Sequence, residues 1–162
     1  MKRLVALSTL SFFVLAPVLR GDDHAGAPHH VLVKPDAIKW GPGPAGLPPG
    51  AQAFVLIGDP SKPGPFVIRA KMPDGYKVPL HWHSIEENLT ILSGTLLVSA
   101  GDDPKEATAE AMPAGSFCHM PPKMKHMVRA KGETIIQVHA VGPFDITYVN
   151  PADDPRKPEL SK

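Results

Sequence analysis

Apolar positions after residue 30 fall into short runs, at 31–33, 38–40, 53–57, 66–70, 78–83, 88–92 and 95–100, then at 116–120, 124–130, 134–141 and 144–149. Turn-forming residues separate the runs, and the spacing is that of strands rather than helices. The segment 41–50 (GPGPAGLPPG) is read as a loop, because its prolines lack the N–H a ladder needs and its glycines resist ordering. The Ala- and Glu-rich stretch 102–112 is the one place for a short helix, with a polar hairpin loop as the alternative. About ten strands with little helix must bury their apolar faces on one another, which predicts an all-β fold, either a sandwich or a closed barrel.

Both ends of the chain read differently from this middle. Lys2 and Arg3 precede an apolar stretch over 4–19, shorter than the ~20 residues a spanning helix needs. A signal peptide over 1–21 is expected, cleaved after Gly21, with an uncleaved anchor as the alternative. That reading places the protein in the periplasm or outside the cell, with no stable membrane insertion once the signal is gone. Residues 22–30, carrying His24, His29 and His30, show no period and are expected to form a flexible leader. The folded domain is expected over 31–150, and residues 151–162 (PADDPRKPELSK from Pro151) are expected to be a polar, frayed tail.

Composition narrows the function. Seventeen Lys and Arg balance 16 Asp and Glu, for a net charge of +1, and no long run of either sign would grip nucleic acid. Twenty Pro and 14 Gly agree with many strands joined by tight turns. The single cysteine, Cys118, rules out an intramolecular disulfide and is expected to act as a small buried apolar residue.

The informative stretch runs from Gly75 to Gly94 (GYKVPLHWHSIEENLTILSG). Residues two apart on a strand face the same side, so His81 and His83 project together and Trp82 turns away. Glu87 lies an even four residues further on, while Glu86 is expected on the wetter face. Two imidazoles and a carboxylate suit a first-row divalent transition metal, Fe, Mn, Zn, Ni or Cu, with positions left for water or substrate. A further imidazole could come from His126 or from His119. Gln137 and His139 share a strand face that either supports the ligands from behind or meets solvent. Met120, Met124 and Met127 cluster near His126 and invite a copper reading, with core filling as the alternative.

Gly75, five residues, His81, one residue, His83, three residues, Glu87, six residues and Gly94 reproduce the first motif of the cupin superfamily, G-x5-H-x-H-x3-E-x6-G. Pro121 and His126 match its second motif, P-x-G-x-x-H, which favours His126 over His119. Lys123 stands where that motif has glycine, and lysine enters a left-handed conformation only at a cost. The resemblance implies a cupin-type double-stranded β-helix, a small jelly-roll-like barrel, with a metal on His81, His83, Glu87 and His126, and often a homodimer. Here the run 31–33 could pair across a two-fold axis. The chain also resembles small bacterial cupins related to the metal-binding domain of zinc-dependent anti-sigma factors. Fold does not fix activity. The expectation is a metal-dependent, dioxygenase-like or isomerase-like enzyme acting on a small organic molecule, with Glu87 a ligand first and a base second. The alternative is a non-catalytic module that binds or senses a metal or small ligand.

Overall fold

The computed structural model describes residues 30–157. Within them nine strands follow in chain order: β1 (Gly41–Pro42), β2 (Gln52–Ile57), β3 (Gly64–Met72), β4 (Lys77–Trp82), β5 (Glu87–Ala100), β6 (Glu110–Pro113), β7 (Phe117–Met120), β8 (His126–Gly142) and β9 (Thr147–Tyr148). Helix among the described residues is limited to three 3-10 turns, at Pro35–Ala37, Glu106–Thr108 and Pro151–Asp153. The all-β expectation holds. The proposed signal peptide and nearly all of the leader lie outside the described residues.

Two long strands close the barrel. The runs 88–92 and 95–100 are one strand, β5, and the runs 124–130 and 134–141 merge into β8. One half of β8 pairs with β3 (Phe66↔Ala140, Ala70↔Ile136) and the other with β4 (Val78↔Val128, His81↔His126). Along its length β8 also pairs with β5, which carries β7 at its start and β6 at its end. All of these pairings are antiparallel, so β5 and β8 run through both layers and hold them face to face. Phe66, Ile91, Leu96 and Thr134 are fully buried between the layers.

The passage from one layer to the other depends on Gly94. One register shift on β5 precedes it, between Ile91 and Ser93, a second spans it, between Ser93 and Thr95, and its φ is +75°. A Cβ there would sit 2.3 Å from the Glu133 carbonyl oxygen and 2.6 Å from Thr134 Oγ1. Both backbone handedness and close approach therefore require glycine.

Several local expectations change. Residues 31–33 form no strand, and Val31 and Leu32 are exposed. The first two residues of the 41–50 loop join the sheet after all, Gly41 opposite Ala53 and Pro42 opposite Gln52, because an edge strand tolerates proline. Over 102–112 the chain makes a 3-10 turn and then β6, in line with the hairpin alternative. The tail does not fray at 151. Asn150 Oδ1 caps the 3-10 turn by accepting from Ala152 N, and Arg156 folds back to donate to Asp154 and to the Ile146 carbonyl.

Gly94→Ala is expected to destabilise the fold by about 2–4 kcal/mol, from the left-handed backbone and the clash together. Urea denaturation measures this, and a loss below about 1 kcal/mol would show that the crossover tolerates a side chain.

Candidate metal centre

His81 lies one residue before the end of β4, His83 follows the strand in the turn, Glu87 opens β5 and His126 opens β8. Three strand ends thus deliver four side chains to one point, and all four are buried, His126 to 1% exposure. Trp82 turns away and Glu86 is exposed, as the two-residue period predicts. The ligand atoms of His81, His83 and His126 lie within 4.8 Å of one another. Glu87 Oε2 stands 3.3 Å from His126 Nε2 and 3.5 Å from His83 Nε2.

Each imidazole is oriented by its other nitrogen. His81 Nδ1 donates to the Pro79 carbonyl at 2.7 Å, His126 Nδ1 to the Met124 carbonyl at 3.0 Å, and His83 Nδ1 to the Asp145 carbonyl. A carbonyl only accepts, so the proton sits on Nδ1 and the lone pair is left on Nε2. His83 Nε2 is buried without a hydrogen-bond partner. The Nε2 atoms of His83 and His126 and the Glu87 oxygen are then acceptors facing one another, an arrangement that a cation reconciles. Donors bound to one ion at ~2.0–2.2 Å stand about 3–3.6 Å apart, and the Glu87 separations fall in that range. The residues present therefore fit a divalent metal.

Burial, reinforced by His126 and His83, pushes His81 down to about 3, so its ring stays neutral. Burial works against charge on His83, yet the Glu87 carboxylate beside it raises its pKa. Glu87 is held well below the usual carboxylate range, although burial alone would raise it, because His126 and His83 flank it. Cys118 is buried, and burial pushes its thiol up.

The second-motif turn solves the lysine problem in an unexpected way. Met124 N donates to the Pro121 carbonyl at 3.1 Å, Pro122 occupies the second position, and Lys123 adopts φ +64°. Positive φ at the third position with proline at the second defines a type II turn. Lys123 takes the glycine conformation, and its N–H donates to the His83 carbonyl at 2.8 Å, tying the two motifs together.

Sequence reasoning left one pair open between two readings and missed another pair. Gln137 and His139 lie on the outer face of β8, where Gln137 accepts from Arg69 Nε and exposed His139 stacks on Phe117. The inward face of β8 carries even-numbered residues from His126 onward, so odd positions cannot support the ligands from behind. His119 is likewise exposed and bonds to Asn88. Met120, Met124 and Met127 do not line the cavity at the cluster. Phe144 and Asp145 do: Phe144 stacks on His83 at 4.4 Å between ring centroids, and Asp145 Oδ1 accepts from Ser84 N and Oγ. No local motif announces them, since they reach His83 across about 60 residues of chain.

A cavity of about 220 Å³ opens onto the cluster. Leu47, Phe66, Ile68, Val138, Phe144 and Ile146 are among the side chains that wall it, and Arg156 stands at its edge.

The cupin domain model matches residues 68–150. The chain belongs to the cupin family. No curated protein matches it in sequence. Among solved cupin-like structures, one from Methylibium petroleiphilum, named provisionally as an acetylacetone dioxygenase, superposes with a TM-score of 0.60 at 21% identity, covering 80% of this chain and 87% of that one. The polyketide cyclase RemF from Streptomyces resistomycificus gives 0.54 at 18%, over 65% and 75%. Salicylate 1,2-dioxygenase from Pseudoaminobacter salicylatoxidans in complex with gentisate gives 0.54 at 13%, over 66% of this chain and 31% of that one. At these identities the likeness is one of fold.

Lys123→Gly is expected to raise stability by up to about 1 kcal/mol, the left-handed strain of lysine less the extra freedom glycine brings to the unfolded chain. Thermal unfolding checks it, and a clear loss would mean that the lysine side chain contributes more than its backbone strain removes.

Proposed function

We propose that this protein is an exported, metal-dependent cupin oxidoreductase of the dioxygenase type that acts on a small organic molecule. One observation carries the reading: the cavity opens directly onto His81, His83, Glu87 and His126, so a molecule inside it meets the ion rather than a wall of packed side chains. Dioxygenase names among the structural neighbours agree with that class of chemistry. The resemblance to the metal-binding domain of zinc-dependent anti-sigma factors supports a metal centre but adds no reaction.

His81, His83, His126 and Glu87 would hold the ion, with Fe, Mn, Zn, Ni and Cu all compatible with three imidazoles and a carboxylate. A bound redox-active ion would supply Lewis acidity and access to dioxygen. The protein's own part is positional. Three backbone carbonyls hold the rings in one tautomer, Phe144 covers the outer face of His83, and the apolar walls exclude water from the reacting end. Aside from the cluster, only Asp145 and Arg156 among the described residues bring charge to the cavity, and both are engaged with other residues. The chemistry is therefore centred on the ion. Export rests on the charged and apolar start of the chain, residues 1–21.

Protein purified without an affinity tag is expected to carry one divalent ion per chain by elemental analysis. His81→Ala and His126→Ala should reduce that to about a tenth or less, while Gln137→Ala and His139→Ala should leave it intact. Metal retained by His126→Ala, or lost from His139→Ala, would contradict the ligand assignment.

The iron- or manganese-loaded protein should consume dioxygen with at least one of a panel of phenols, keto acids and β-diketones. Metal-loaded protein that consumes none with any of them would instead support a binding or sensing module. N-terminal sequencing of the mature protein should begin near Asp22, and a chain starting at Met1 would contradict cleavage.

A further inference from the structure

Among the described residues outside the cluster, every side chain that lines the cavity is apolar or absent, except Asp145 and Arg156. Both are held by neighbouring residues rather than free to turn towards a guest. The Asp145 carboxylate accepts two hydrogen bonds from Ser84, and the Arg156 guanidinium is clamped by both oxygens of Asp154 at 2.7 and 2.9 Å while donating to the Ile146 carbonyl. Among the described residues, no serine, threonine, asparagine or glutamine side chain faces the space. A sugar or other polyol would have to leave its hydroxyls unpartnered there, at a cost of roughly 1–3 kcal/mol for each.

The inner end has the opposite character. A divalent ion on three neutral imidazoles and one carboxylate would leave the cluster itself with one net positive charge, and one anionic oxygen bound at the ion would neutralise it.

The Gly- and Pro-rich segment 43–50 contributes Pro44, Gly46 and Leu47 to the wall of the chamber, and two buried tyrosines fix it. Tyr148 Oη donates to the Gly46 carbonyl at 2.8 Å and Tyr76 Oη to the Pro48 carbonyl at 2.6 Å, on either side of Leu47. Leu47 N donates to the Pro44 carbonyl, and the Leu47 side chain is packed on the core and lines the cavity. Gly46 meets the opposite wall so closely that a Cβ would lie 2.6 Å from Ile146 Cγ2. Leu47 is thus a fixed stop rather than a loose flap.

Resting on the metal-centre reading above, we propose that the cavity takes a compact monoanion with an apolar body, its one charged oxygen group at the ion and its far end against Leu47, which sets the size limit. At about 220 Å³ the space exceeds the ~150 Å³ cavity known to admit benzene, so a single substituted ring or a short branched chain fits and a fused bicycle does not. Carboxylates, phenolates and enolates share the required head, whereas sugars, nucleotides and dianionic phosphates lack the required body or charge.

Cobalt(II)-loaded full-length protein tests this without turnover, because the visible bands of the ion report directly on its ligands. Benzoate should perturb the bands and bind about tenfold or more tightly than its neutral isostere benzamide and than the polyhydroxy acid gluconate. Leu47→Trp should weaken benzoate about tenfold while leaving the bands of the ligand-free protein unchanged. Leu47→Ala, which needs no extra room in order to fold, should admit 2-naphthoate, which the parent protein refuses. Equal affinity for benzoate, benzamide and gluconate would overturn the proposal, as would 2-naphthoate binding to the parent as well as to Leu47→Ala. Bands without a benzoate preference refute this inference alone, whereas a parent protein that develops no bands refutes the metal centre and this inference with it.

Discussion

Each imidazole at the buried end of the barrel gives its Nδ1 hydrogen to a backbone carbonyl, of Pro79, Asp145 or Met124, and this repeated bond turns the basic Nε2 edges towards one place. Glu87 reaches the same place with a carboxylate oxygen. Lone pairs gathered in a dry interior repel one another unless something positive lies between them. A proton can answer that need for one pair of atoms, but a divalent ion answers it for all four groups at once. The remaining structure can be understood as what keeps those four groups in place.

The barrel does so with few parts. β5 and β8 pass through both layers, so Glu87 and His126, their first residues, are anchored by the longest ladders in the fold. Gly94 permits β5 to cross between layers where any side chain would strike Glu133 and Thr134. Lys123 adopts a backbone conformation usually left to glycine, and the hydrogen bond from its N–H to the His83 carbonyl joins the two halves of the site. The segment after β8 returns to place Phe144 and Asp145 against His83, and the last described turn returns again to set Arg156 at the cavity's edge.

Much of this was legible in the sequence where the physics is local. The two-residue period of a strand put His81 and His83 on one face and turned Trp82 and Glu86 away, and the motif spacing chose His126 over the exposed His119. The same period would have excluded Gln137 and His139, had the inward parity of β8 been counted from His126 through the bulge near Gly132 instead of judged within 135–139 alone. Breaks in hydrophobic runs suggested separate strands at Gly94 and at 131–133, where the chain in fact bends and continues. Proline suggested a loop throughout 41–50, yet an edge position accepts Pro42 because no partner lies beyond it to want its N–H. Leu47, Phe144, Asp145 and Arg156 left no signal, since their roles come from contacts across tens of residues that no periodicity encodes.

The central claim is that a single cation joins these four side chains, and anomalous diffraction from a crystal of the protein as purified, collected at the absorption edge of its metal, tests it most directly. The account predicts one strong anomalous peak per chain, within bonding distance of the Nε2 atoms of His81, His83 and His126 and of a Glu87 carboxylate oxygen. A peak held elsewhere on the chain, or a cluster that refines with waters alone in protein containing stoichiometric metal, would contradict it.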